Sequence, residues 1–289
     1  MTLIQRRATP RPQRNASDVG SKVVAYLIIA IMCFFTFVPF YFMFIFGTWD
    51  KSEIFTLPPH IAPGPDLASN YSVLMGKINF WRSFWNSLYI AVLSTVLTVF
   101  FCALGGFAFA MYDFKFKNVL FSMVLGSLLI PSLMGIIPFY LIMQAIGWVG
   151  EPKALYIPGI ANAFGIFLMR QYITSAIPKE LVEAARIDGC SEIRTFWSVI
   201  FPLLGPATAT LALTTFIGQW NNIVGPLIVL KDRDTFTLPL ALRSLQGLST
   251  AETGAMMVGV CIAVVPLLIV FAFTSRNLIA GLAAGAVKG

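Results

Sequence analysis

The chain is 289 residues long, 57% hydrophobic and only 11% charged, with a net charge of +7 and a mean hydropathy of +0.80. A soluble domain carries about 25% charged residues, so this composition excludes an ordinary water-soluble globule and points to lipid as the solvent. The basic excess does not indicate nucleic acid, because Lys and Arg flank apolar runs and form no patch interleaved with aromatics.

Residues 1–22 hold Arg6, Arg7, Arg11, Arg14 and Lys22, with Pro10 and Pro12 among polar neighbours, which predicts a disordered basic lead-in. The apolar run that follows is too long for a signal-peptide core and has no small-residue cleavage site, so it is expected to stay as an anchor. Charge-free intervals then run over 23–49, 83–112, 118–150, 154–169, 195–230 and 253–275. A membrane helix needs about 20 apolar residues, and five intervals exceed that. The fourth has only 16 residues and reaches span length by carrying its helix through a snorkelling Arg170 toward Ile173. The runs are continuous and do not alternate, which excludes a barrel. The expected fold is all-α and polytopic, with six transmembrane helices in a permease domain over 23–275.

Within that domain, Pro131 and Pro138 are expected to kink the third span, with Gly126 and Gly135 easing close packing. Residues 50–82, with Pro58, Pro59, Pro63 and Pro65, read as a long irregular loop. Phe80, Trp81, Phe84 and Trp85 follow it as an interfacial aromatic belt. Between spans 4 and 5 lies the most polar stretch of the second half, 176–202. Pro178 suits a first helical turn, Leu181, Ala184, Ala185 and Asp188 share one face, and Gly189 is a natural C-terminal stop. Ser191 then caps a second helix, although Arg194 stands where a capping box wants Glu or Gln. In the fifth span, Thr215, Gln219 and Asn222 fall on one face with Trp220 and Asn221 beside them. Amides and an indole suit a sugar, which offers hydroxyls at its edges and C–H groups on its faces. The same cluster also reads as an interfacial tryptophan with amides closing the helix end. The tail runs over 276–289, and its last residues, Gly281 to Gly289, are small and flexible in composition.

Several chemistries are missing. Gly76-Lys77 is followed by Ile78 and has Tyr71 where a phosphate loop needs its first Gly, so no ATP site is encoded. One histidine, His60, cannot build a zinc site, there is no nucleophile elbow, and no acidic relay crosses the spans. Cys33, Cys102, Cys190 and Cys261 have neither metal-site spacing nor external loop positions, so no disulfide framework is expected. Thirteen Lys and Arg lie on the side of the termini and seven on the other. By the positive-inside rule, both termini and the 176–202 loop are cytoplasmic.

Glu183-Ala184-Ala185, Gly189 and Pro202 thirteen residues later resemble the EAA loop of ABC importer permeases. Val199 stands where Ile is usual, Phe201 where Leu is usual, and Cys190 where Ala is common. The similarity continues through Asn86-Ser87-Leu88, Ile177 to Leu181, Trp220-Asn221, Pro226 to Leu230 and Gly281 to Gly289. It covers roughly residues 20–289 and is nearest to the maltose-type carbohydrate branch. The resemblance implies a permease subunit of a bacterial inner-membrane sugar importer that is not itself an enzyme. Its coupling helix–turn–helix would place Glu183, Ala184, Ala185, Asp188, Gly189 and Cys190 against an ATPase. The implied complex has a second related permease, two ATPase subunits and an external solute-binding protein. This chain would bind no cofactor, ATP and Mg residing on the ATPase. By the same resemblance, the tail is expected to reach that subunit. A glycerol phosphoester would suit such a permease equally, and an ATP-independent transporter is the rival class.

Orientation is directly measurable. In a background without native cysteines, an impermeant thiol reagent on intact cells is expected to label Ser249→Cys and spare Ser191→Cys; the reverse pattern would overturn the charge argument.

Overall fold

The computed structural model describes residues 16–246 and 252–286; the expectations for 1–15, Ser249 and 287–289 lie outside them. Every regular element among the described residues is helical. Helix α1 covers Ala16–Gly47, so the last residues of the supposed disordered lead-in are helical. No proline follows Pro12 until Pro39, and nothing stops the helix from continuing back into polar sequence.

Among the described residues, three helices are long and apolar enough to cross a membrane: the Gly20–Gly47 part of α1, α3 (Phe80–Met111), and the Thr253–Ser275 part of α14 (Thr253–Ala286). Two bent pairs raise the count to five. In the first, α4 (Lys117–Ser127) meets the short 3₁₀ turn Ser132–Gly135 and α5 (Ile136–Ala145) at 95°. The kink expected at Pro131 is thus a full break, since proline disfavours helical conformation in the residue before it. In the second, Glu192–Leu203 meets α11 (Gly205–Trp220) at 81°.

By length and composition alone the count is three to five, short of the six expected, and the fourth interval is the reason. Pro158 and Gly159 divide it into α6 (Lys153–Tyr156) and α7 (Ala163–Ala176). Asn162 starts α7, its side-chain oxygen accepting from the Gly165 N–H at 2.8 Å. As expected, α7 continues past Arg170. The guanidinium lies 4.1 Å over the Phe121 ring, a cation–π contact that offsets its partial desolvation.

The 50–82 loop is less irregular than its prolines suggest, because it contains α2 (Leu67–Lys77). Asn70 and Leu74, one turn apart, form the buried face of α2, which packs on α14. The Asn70 amide donates to the Gly47 and Trp49 carbonyls at 3.0 and 2.9 Å, satisfying acceptors that the end of α1 leaves open. The aromatic belt divides in two. Trp81 and Trp85 are exposed, whereas Phe80 is buried and Phe84 packs edge-on to Trp220 at 5.6 Å.

Helix α3 is the centre of the bundle, lying along both α7 and α11, while α14 contacts α1, α2 and α11. The approach of α3 to α7 is set by two glycines. A Cβ on Gly106 would stand 2.5 Å from Met169 Cβ and 2.8 Å from the Arg170 nitrogen, and one on Gly165 would stand 2.5 Å from Cys102 Sγ. Such backbone proximity is how helices associate where lipid removes the hydrophobic drive.

Gly106→Ala is therefore expected to force α3 and α7 apart, at a cost of about 1–3 kcal/mol, read as a lower melting temperature in detergent. Gly126→Ala, in α4 with nothing within 4 Å, serves as the neutral control.

Candidate functional site

The 176–202 segment forms a helical hairpin. Helix α8 (Glu180–Ile187) begins two residues after Pro178 and ends in a Schellman motif. The Cys190 N–H donates to the Ala185 carbonyl at 2.9 Å, the Gly189 N–H donates to the Arg186 carbonyl at 3.0 Å, and Gly189 has φ +77°. Ser191 caps the short α9 (Glu192–Thr195), accepting from the Arg194 N–H at 3.4 Å. One turn of π-helix follows over Phe196–Ile200, then α10 (Phe201–Leu203). Pro202 explains the wide turn. It has no N–H for the Ser198 carbonyl, and the Phe201 N–H reaches back to the Phe196 carbonyl instead.

The six coupling residues read from the sequence do not share one environment. Glu183, Ala184, Asp188 and Gly189 are exposed, Cys190 is half-buried, and Ala185 is buried. The inward face of α8 is Val182 and Ala185, not the Leu181–Ala184–Ala185–Asp188 stripe. Val182 joins Phe107, Ile173, Phe196 and Ile200 in an apolar core that fastens the hairpin to α3 and α7. Trp197 stacks on Phe100 of α3, with ring centroids 5.5 Å apart. At the tip, Ile187 and Ile193 are 86% and 74% exposed.

A polar contact that sequence reasoning missed crosses the turn. Arg186 Nε donates to Glu192 Oε1 at 2.9 Å, and the Tyr112 hydroxyl, at the end of α3, donates to Glu192 Oε2. The Arg186 guanidinium also lies 5.3 Å over the Tyr112 ring. Beyond Tyr112 the chain is closed by Lys117, whose ammonium donates to the Tyr112 carbonyl at 2.7 Å and to Asp113 at 3.0 Å. Those hydrogen bonds hold the Asp113 carboxyl below its usual range.

The polar cluster at the end of α11 is mostly consumed by the fold. Gln219 Nε2 donates to Ser94 Oγ on α3 at 3.0 Å and to the Leu155 carbonyl on α6 at 3.1 Å. Asn222 donates weakly to Gln219 Oε1 at 3.4 Å and accepts from the Gly225 N–H at 3.1 Å, opening the short α12 (Val224–Val229). Trp220 is packed inside the bundle, unlike an interfacial anchor, and lines the cavity that Asn221 borders. Only 2% exposed, it stacks on Phe216 at 5.8 Å and donates from Nε1 to the Ala263 carbonyl of α14 at 3.1 Å. Thr215 is half-buried and Asn221 exposed, and neither side chain has a hydrogen-bond partner among the described residues. Asn221 borders a cavity of about 490 Å³, together with Ile223, Arg243, Gln246 and Met256.

Residues 102–281, which contain the hairpin and the α11 cluster, match the family described as the binding-protein-dependent transport system inner membrane component. The chain belongs to that family. This inner membrane component is a multi-pass membrane protein. It is 38% identical over 210 residues to the arabinooligosaccharides transport system permease protein AraQ of Halalkalibacterium halodurans, covering 73% of this chain and 75% of the relative. It is 32% identical over 266 residues to the lactose transport system permease protein LacG of Rhizobium radiobacter, covering 92% and 96%. Its fold is similar, with a TM-score of 0.77 and 23% identity, to a chain in the crystal structure of a bacterial ABC transporter involved in the import of the acidic polysaccharide alginate, covering 92% of this chain and 99% of that one.

The Gln219 contacts predict a structural phenotype. Gln219→Leu strands the buried Ser94 hydroxyl, a loss of about 1–3 kcal/mol, read as a lower melting temperature of the purified protein. Adding Ser94→Ala is expected to cost less than the sum of the two single changes.

Proposed function

We propose that this chain is the membrane-spanning permease subunit of an ATP-driven bacterial carbohydrate importer, and that the α8–Gly189–α9 hairpin docks into its ATPase. The observation that carries the reading is the two-sided hairpin. Val182, Ala185 and Phe196 bind it to the helices, while Ile187 and Ile193 are bared at its tip beside Glu183, Ala184 and Asp188. A loop serving only to join two spans gains nothing from exposed isoleucines; a docking element does. The buried side then passes rigid-body motion of the partner to α3 and α11.

In this reading ATP and Mg are held by two ATPase subunits. A second related permease completes the passage, and an external binding protein delivers the solute. The hairpin and both termini face the cytoplasm in accord with the charge count, and α6 with α7 make the fourth of six crossings. Carbohydrate is the favoured cargo because AraQ and LacG are named for oligosaccharide and disaccharide transport. In the membrane path, Thr215 and Asn221 retain uncommitted polar groups, whereas Gln219, Trp220 and Asn222 act by shaping the walls.

Two substitutions test the docking role. Glu183→Ala removes an exposed charge, and Gly189→Asp forces a side chain into a left-handed position at a cost on the order of 1 kcal/mol or more. No neighbour lies within 4 Å of that site, so the strain comes from the backbone. Both variants are expected to insert at wild-type levels, lose copurifying ATPase and import little sugar. Normal uptake with normal copurification in both would exclude the role.

A further inference from the structure

We propose that Tyr112, Arg186 and Glu192 form a clasp that makes α3 move with the hairpin, so that α3 is a second transmission strut beside α11. This rests on the reading of the hairpin as the ATPase-docking element. The three side chains come from three places: the end of α3, the last turn of α8 and the first turn of α9. Glu192 bridges them, one carboxylate oxygen accepting from Arg186 at 2.9 Å and the other from the Tyr112 hydroxyl. Arg186 closes the triangle from above the Tyr112 ring. Each member holds the other two, so a displacement of the Gly189 turn pulls on the end of α3. Lys117 keeps that end from yielding by pinning the Tyr112 carbonyl.

The two candidate struts differ in stiffness. The route from α9 into α11 contains a π turn, Pro202 and an 81° bend. Helix α3 is an unbroken 32-residue helix without proline, about 48 Å long. Its far end is also fastened. Asn86 donates to the Asp234 and Phe236 carbonyls at 2.9 and 3.1 Å, Arg82 donates to the Asp234 carbonyl at 3.0 Å, and Ser87 accepts from the Leu238 N–H at 2.7 Å. A stiff rod tied at both ends carries displacement between the hairpin and the 232–238 segment, whereas a bent joint absorbs part of it. Tyr112, Arg186 and Glu192 are positioning residues in this scheme and touch no solute.

The experiment uses the complete transporter in proteoliposomes and reads ATP hydrolysed per sugar imported. This ratio does not depend on how much complex assembles. Tyr112→Phe keeps the ring and removes the hydroxyl. It is expected to raise the ratio roughly threefold or more, the size suited to losing a charge-assisted hydrogen bond at a partly exposed site, with ATPase copurification unchanged. Glu192→Gln keeps one acceptor oxygen and is expected to shift the ratio in the same direction by less. A wild-type ratio in Tyr112→Phe, or in Glu192→Gln should the first variant not assemble, overturns the clasp. Failure of the docking reading is seen separately, as normal copurification and uptake in Glu183→Ala and Gly189→Asp.

Discussion

The near-contact of α3 and α7 at Gly106 and Gly165 is the constraint on which the rest of the bundle depends. With no Cβ between them, Met169 and Cys102 lie against bare backbone, and dispersion acts over the whole crossing. That crossing fixes the direction of α7, and α7 leads into the hairpin. It also places Phe107 and Ile173 to receive Val182 and Phe196. Were the helices held at an ordinary separation, the hairpin would lose its seat. Two hydrogen atoms in place of side chains thus decide where the hairpin is seated.

The hairpin combines two kinds of attachment. Its apolar side is non-directional and tolerant of small slippage, as burial of Val182 and Phe196 requires only exclusion of lipid and water. The Glu192 contacts are directional and specify one orientation. Exposed ion pairs add little to stability, so the worth of Arg186–Glu192 lies in geometry. The pair spans a glycine turn that backbone hydrogen bonds close.

Much of the fold was legible in the amino-acid order, and the rest was hidden for identifiable reasons. Charge is expelled from lipid, so the end of α1, both ends of α3 and the start of α14 lie close to Asp50, Arg82, Asp113 and Glu252. Breaks inside apolar runs leave no charge behind, and Pro158-Gly159 divides an interval that hydropathy treats as one. Gly189 announced its turn because few residues other than glycine accept φ +77° without strain. Tyr112 gave no sign of its role, since its partner lies 80 positions away. Gln219 was visible as a polar residue that must avoid lipid. Composition cannot distinguish an amide turned toward a solute from one turned toward Ser94 and a free carbonyl. Trp220 was ambiguous in the same way, and its indole N–H found the Ala263 carbonyl within the bundle.

The π turn at Phe196–Ile200 sets a phase. An α-helix advances about 100° per residue, and the wide turn accommodates one more residue than an α turn before regular winding resumes. The hairpin is therefore rotated about the axis of the following helix relative to an uninterrupted one. Val182 and Ile187 lie five residues apart on α8, about 140° around its axis, so that helix already sets them on different faces. The surplus residue is held in place by the absent N–H of Pro202, and it shifts the phase of α9 against α10. The number of residues between Gly189 and Pro202 is thereby one determinant of that phase.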